Sequence, residues 1–190
     1  MSIPIVLGLD KNTISVNGGY IKPIELLREK YNNEFFNNNK LKIAIGFRGV
    51  AGNQKRDIPL KHLKLLDDLK NVQLYCFTKD VNDEELKCFK KNKVINIAKE
   101  FENFAHTAAA LDCCDLVIAS DNCILNLAGA IGKKTFGIFN YHYEFRWYDL
   151  KGENCGWFTS VKPFINNEYN DWGKTILKVI EEIKSLQQNG

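Results

Sequence analysis

Short β-rich runs alternate with helical stretches from residue 41 onward, and this alternation limits the possible folds more than any other feature of the chain. Residues 42–47, 72–77, 94–97, 116–119 and 135–139 read as buried strands, with Thr159 to Phe164 as a last edge strand. Between them, Pro59 opens a helix carrying Leu60, Leu63, Leu66 and Leu69 on one side. Asn82-Asp83-Glu84-Glu85 starts a short acidic-headed helix, and Phe101, Phe104, Ala105, Ala108 and Leu111 line a third. A compact helix rich in small residues spans Asn122 to Ile131, and Trp172, Ile176, Val179, Ile180 and Ile183 make an amphipathic terminal helix. Strands alternating with helices imply βαβ units, a mostly parallel sheet and right-handed crossovers: a three-layer α/β domain over residues 41–190. Residues 1–40 read as a lead-in segment with one helix, opened near Pro23 and carrying Leu26, Leu27, Tyr31 and Phe35.

Composition narrows the function classes. With 45% hydrophobic residues the chain is not disordered, and 26 Lys+Arg against 23 Asp+Glu is too even for a dedicated nucleic-acid binder. No run approaches the ~18 apolar residues of a membrane span. The Met1–Asp10 segment lacks a basic start and does not read as a signal peptide, so a cytoplasmic protein is expected. Cys76, Cys88, Cys113, Cys114, Cys123 and Cys155 show no C-x-x-C spacing and are expected as reduced, structural thiols. His62, His106 and His142 are too scattered for a zinc site, and no metal is expected.

Ligands of an open α/β sheet bind outside the carboxyl ends of its strands, and two loops stand out there. Gly46 to Asp57 follows the first strand with glycines whose N–H groups can approach an anion, and with Arg48, Lys55 and Arg56 as charges. It is neither a Walker loop nor a Gly-x-Gly-x-x-Gly fingerprint, which disfavours a nicotinamide-dependent oxidoreductase. A phosphate cradle and a plain solvated basic loop stay equally open for it. In the second loop, Ala119-Ser120-Asp121-Asn122-Cys123, a strand runs straight into a helix that Asp121 or Asn122 can cap, leaving amide donors toward the crevice. Ordinary capping without a ligand is the alternative. No nucleophile–base–acid triad is visible. His106 reads as a surface or capping histidine, and His142, within the aromatic stretch Tyr141 to Phe158, is the better ligand contact.

Read together, these landmarks resemble the nucleotide-sugar-binding half of glycosyltransferases of GT-B architecture. The resemblance is to tetratricopeptide-repeat proteins with a glycosyltransferase domain, themselves similar to O-linked N-acetylglucosamine transferases and lipopolysaccharide heptosyltransferases. It rests on Ile43 to Gly49 with Asn53 and Ile58-Pro59-Leu60, on Phe101 to Ala108, on Leu116 to Asp121, and on Leu127 to Lys133. Phe145-Arg146-Trp147, Cys155-Gly156-Trp157-Phe158 and Asp171-Trp172 follow in the same order. Two departures stand out: Asn122 and Asn126 occupy positions where the family usually has threonine and histidine, and Phe47 replaces a frequent tryptophan.

The resemblance implies a Rossmann-like domain equivalent to the C-terminal half of GT-B, with a nucleoside-diphosphate sugar as substrate and neither metal nor cofactor. Arg48, Gly49, Asp121, Asn122, Cys123 and Asn126 are the implied donor-phosphate contacts, and Phe101 and Phe104 the base or ribose contacts. Catalytic residues stay unassigned, since the acceptor and its base belong to the other half. An N-terminal acceptor domain or a tetratricopeptide segment in a longer or split parent is the implied partner. Alone, the chain is not expected to be catalytically competent. The alternative is a non-catalytic nucleotide-sensing or protein-interaction module, for which the aromatic stretch with Tyr141, Tyr143, Phe145, Trp147, Tyr148, Trp157 and Phe158 offers a homodimer surface.

Overall fold

The computed structural model describes residues 6, 8, 19–49, 54–91, 94–143, 147 and 158–189. Asn53, Phe145, Arg146, Tyr148, Asp149, Cys155, Gly156 and Trp157 lie outside the described residues, as does the Met1–Ile5 segment. Six strands, β1 (Leu41–Gly46), β2 (Val72–Cys76), β3 (Val94–Asn96), β4 (Leu116–Ser120), β5 (Thr135–Phe139) and β6 (Val161–Ile165), form one sheet. Every pairing is parallel and the order is β3-β2-β1-β4-β5-β6. This is the doubly wound order, in which the chain reverses its direction of travel across the sheet between β1 and β4.

The strands alternate their side chains between two cores. Ala44, Val117 and Ala119 enter one cluster, whereas Ile43, Ile45, Leu116 and Ile118 enter the other. The first is covered by α1 (Glu25–Tyr31), α4 (Phe104–Asp112) and α5 (Cys123–Ile131). The second is covered by α2 (Leu60–Leu63), α3 (Asp83–Leu86) and α6 (Trp172–Asn189). Because both faces are covered, all of β4 and β5 is buried, as a parallel sheet requires.

Apart from Phe101, which precedes α4 rather than lying on it, the expected helices form, with two differences. The Leu60–Leu69 pattern gives only one α-turn before tightening into a 3-10 segment at Lys64–Asp68. The heavy apolar side of that segment still packs, with Leu63, Leu66 and Leu69 all buried. The second difference concerns the lead-in. Its helix widens into a π-turn at Asn32–Phe36 that rotates Phe36 inward. Phe36 is fully buried and stacks on Tyr75 at 4.2 Å, while the Tyr75 hydroxyl donates to the Phe35 carbonyl at 2.9 Å. A buried phenylalanine stabilises by roughly 1.5–3 kcal/mol relative to exposure, so this helix is part of the layer that covers the sheet.

Two glycines permit close approach beneath the future site. A Cβ on Gly46 would lie 2.9 Å from Ile124 at the start of α5, and one on Gly129 would lie 2.4 Å from the Phe158 ring. The first of these gives Gly46 a packing role, where its place in a glycine-containing loop suggested an anion contact.

Candidate functional site

At the carboxyl end of the sheet lies a cavity of about 940 Å³. That is near the upper end of the ~300–1,000 Å³ typical of small-molecule sites, and enough for a nucleotide. The loops after β1, β2, β3 and β4 all contribute walls, on both sides of the point where the strand order reverses. Arg48, Gly49, Phe101, Phe104, Asp121, Asn122, Cys123 and Asn126, drawn from distant parts of the sequence, all line it. His142 does not, and neither does His106.

Asn122 organises the cavity's centre. It is the residue that caps α5: its Oδ1 accepts from Ile124 N–H at 2.9 Å and from Leu125 N–H at 3.3 Å. Its Nδ2 donates to the Gly46 carbonyl at 2.7 Å and to Ser120 Oγ at 3.1 Å. One side chain thus ties β1 to β4 and sets the amino end of α5 between them. Asp121 does not cap; its carboxylate, nearly inaccessible, pairs with Arg56 at 3.1 Å. Cys123 and Asn126 are exposed on the cavity side, one helical turn apart. Among the described residues the Cys123 N–H donates no hydrogen bond, whereas Asn126 Nδ2 returns to the Asn122 carbonyl at 2.9 Å. The positive end of the α5 dipole therefore faces the cavity.

The charged groups are largely engaged with one another. Arg48 donates to Glu85 at 2.9 Å and to the Asp80 carbonyl at 2.8 Å. Glu85 also closes the capping box of α3 by accepting from Asn82 N–H at 3.1 Å. The Arg48 hydrogen bond, followed by that backbone contact, holds the Glu85 carboxyl below the usual carboxylate range. Gly49 N–H donates to Asp57 at 2.9 Å. Glu85, Asp57 and Asp121 thus each hold one of the anion donors of the β1 loop: Arg48, the Gly49 amide and Arg56. Lys79, exposed on the cavity wall, enters no ion pair among the described residues. Nothing in the Gly46–Asp57 spacing distinguished Arg56 from Lys55; only its pairing with Asp121 does.

The opposite wall is aromatic. Phe101 is buried against Phe77 and Tyr31, with ring centroids 5.2 and 6.0 Å away, while Phe104 is 62% exposed at the rim. Asn103 caps α4, accepting from Ala105 N–H at 2.9 Å. His106 is neither a surface nor a capping histidine. Its ring lies against α1, with Nδ1 3.0 Å from the Tyr31 hydroxyl, which donates to the Glu100 carbonyl at 2.8 Å. Burial pushes the Tyr31 phenol up to about 12. No group of three metal-ligating side chains occurs among the described residues, and no described helix is long and apolar enough to cross a membrane.

The chain matches no protein-family model. In sequence it is 30% identical over 92 residues to protein FlbA of Caulobacter vibrioides, an alignment covering 48% of this chain and 14% of that protein. In structure it is similar to the glycosyl transferase family 9 protein of Veillonella parvula, with TM-score 0.68, 14% identity and coverage of 91% of this chain and 55% of that one. It is also similar to the E. coli ADP-heptose LPS heptosyltransferase II, with TM-score 0.65, 13% identity and coverage of 90% and 54%. A third similarity is to E. coli heptosyltransferase WaaC with ADP, with TM-score 0.56, 13% identity and coverage of 94% and 53%. The fold is therefore glycosyltransferase-like, and the chain spans about half the length of these solved relatives.

Proposed function

We propose that this chain is the donor-binding half of a glycosyltransferase, the counterpart of a GT-B C-terminal half, and that its cavity takes a nucleoside-diphosphate sugar. The observation that carries this reading is the convergence of the β1 loop and the α5 entrance on one cavity at the reversal point of the sheet. The diphosphate lies against the α5 amino end, where Cys123 offers an N–H unengaged among the described residues and Asp121, Asn122 and Asn126 flank it, with Arg48, Gly49 and Arg56 on the facing loop. Phe101 and Phe104 line the side for base or ribose. A helix terminus contributes about 0.3–1 kcal/mol to holding an exposed anion, so the cationic side chains supply most of the remainder. Because carboxylates already engage those donors, the ligand must compete for them, and binding by the isolated chain is weak.

Transfer needs an acceptor held at the sugar, which this half does not provide. A facing acceptor domain, alone or with a tetratricopeptide segment as in the family the sequence resembles, is the partner proposed, acting in the cytoplasm. Neither metal nor cofactor takes part in this reading. The leaving diphosphate is stabilised by the helix dipole and the basic side chains. Asn122 and Asn126, in place of the family's threonine and histidine, favour a second reading: a nucleotide-sensing module without transfer activity, or one that assembles through the Tyr141–Phe158 stretch as a homodimer.

Calorimetric titration with ADP, UDP, GDP and their sugars tests the proposal. Saturable one-site binding of at least one, unchanged by chelator and weakened by Arg48→Ala, is expected. Silence across the panel overturns it. Turnover on adding an acceptor domain separates the enzyme from the sensor.

A further inference from the structure

Asn140 follows β5, is 4% exposed, and does not line the cavity. Its amide nevertheless makes five hydrogen bonds. Nδ2 donates to the Lys55 carbonyl at 2.9 Å and to Asn170 Oδ1 at 3.1 Å. Oδ1 accepts from Asn166 Nδ2 at 3.2 Å, Asn170 N–H at 3.0 Å and Tyr141 N–H at 2.9 Å. Asn166 in turn accepts from Thr175 Oγ1 at 2.7 Å, at the start of α6. The amide has one possible orientation: flipped, its oxygen would meet two acceptors and its NH2 three donors.

Five of these contacts belong to the β5–β6–α6 corner, and the sixth reaches the β1 loop. Lys55 lies in the 3-10 turn Gln54–Arg56, and the next residue, Arg56, carries the guanidinium that meets Asp121 beside the α5 entrance. Two residues further, Ile58 N–H returns to the Phe47 carbonyl at 2.9 Å and closes the loop. The turn that presents Arg56 is therefore hung from a strand that supplies no cavity residue.

We propose that Asn140 is a positioning residue of the cavity, holding the 54–56 turn by its Lys55 carbonyl so that Arg56 stands at the anion site. The inference rests on the nucleoside-diphosphate reading for its effect on binding, and on geometry alone for its effect on the turn. Asn140→Asp keeps the shape and the acceptor but removes both donors. Thr175→Val disturbs the far end of the same network without touching Lys55 and serves as the stability control.

Amide hydrogen exchange reads the turn without any ligand. Exchange at Ile58 is expected to quicken by about tenfold in Asn140→Asp and to stay unchanged in Thr175→Val. With ADP or UDP, whichever binds the wild type better, Asn140→Asp and Arg56→Ala should each weaken affinity by about tenfold. In the Arg56→Ala background Asn140→Asp should add less than about twofold, because it acts through Arg56. Unchanged exchange at Ile58, wild-type affinity in Asn140→Asp, or effects that multiply would each overturn the inference. Absence of any nucleotide binding by the wild type would overturn the functional reading and leave the exchange result to decide this one. If Asn140→Asp does not fold, Asn140→Ser replaces it in the same comparisons.

Discussion

Arg48, in the loop after β1, and Glu85, in α3, meet at 2.9 Å, so the guanidinium facing the cavity is already partnered by a carboxylate. Both side chains are one-third exposed, a setting in which an ion pair contributes only ~0–1 kcal/mol to stability. In the proposed function its larger effect is on the ligand. Arg48→Ala is expected to weaken nucleoside-diphosphate binding roughly tenfold, while Lys133→Ala, at the far end of α5, changes it little. Glu85→Gln keeps an acceptor for Asn82 N–H but removes the competing charge, and should tighten binding. Calorimetry on the three variants checks this, and weaker binding by Glu85→Gln would contradict the competition.

Asn122 separates capping from binding. Asn122→Ala loses the cap, worth about 0.5–2 kcal/mol, and leaves the Gly46 carbonyl without its side-chain donor. Asn122→Asp retains the cap acceptor but loses the same donor, and sets a second carboxylate beside Asp121 and against the Gly46 carbonyl. Urea denaturation should find both variants less stable than wild type, while titration finds nucleotide affinity lower in Asn122→Asp than in Asn122→Ala. Asn126→His, which restores a group that can carry positive charge, should keep or tighten binding, most clearly at low pH.

The lead-in helix yields a third expectation. Phe36 is fully buried against Tyr75, and truncating such a residue costs about 3–5 kcal/mol. Phe36→Ala should lower the urea midpoint of the whole domain in one transition. A separate, early transition for residues 19–40 would show an independent lead-in.

The alternating pattern made the parallel sheet and the three layers legible, because short continuous apolar runs and capped helices are local signals. It also marked both cavity loops. The π-turn at Asn32–Phe36 was not legible, since what rotates Phe36 inward is the distant ring of Tyr75. His106 escaped for the same reason: its partner, Tyr31, belongs to a helix far away in sequence. Arg56 and Lys55 are adjacent and equally basic, and only the position of Asp121 tells them apart. Pairings set by tertiary approach leave no periodic trace.

Thiol chemistry supplies a fourth expectation. Burial pushes Cys76 and Cys113 from the usual 9.0 up to about 11, and raises fully buried Cys114 well above its usual value. Cys123 is exposed on the cavity wall. Brief iodoacetamide treatment of the native protein at pH 8 should label Cys123 and spare Cys76, Cys113 and Cys114, as peptide mass spectrometry can read. Saturating nucleoside diphosphate should slow the Cys123 reaction. The same shifts predict alkaline destabilisation. Above pH 9 the unfolded chain releases thiol protons that the native chain retains until about 11. Stability is therefore full below pH 9 and declines as pH rises through that window, with Tyr31 and Tyr75 extending the decline toward about 12. Urea midpoints at pH 8, 9.5 and 10.5 should fall in that order.

The strand order has a kinetic consequence. Ile43 lies beside Leu116 in the sheet, so the two strands bracketing the cavity cannot pair until the β2 and β3 units between them have been made. Such distant pairings close slowly because loop entropy opposes them. On the ribosome, β1, β2 and β3 are complete first, leaving the apolar Ile43–Ile45 edge without a neighbour until β4 emerges. An unpaired edge of that kind is a template for association with another nascent chain. The seam that later opens onto the cavity is thus, during biosynthesis, an apolar edge still without its partner strand.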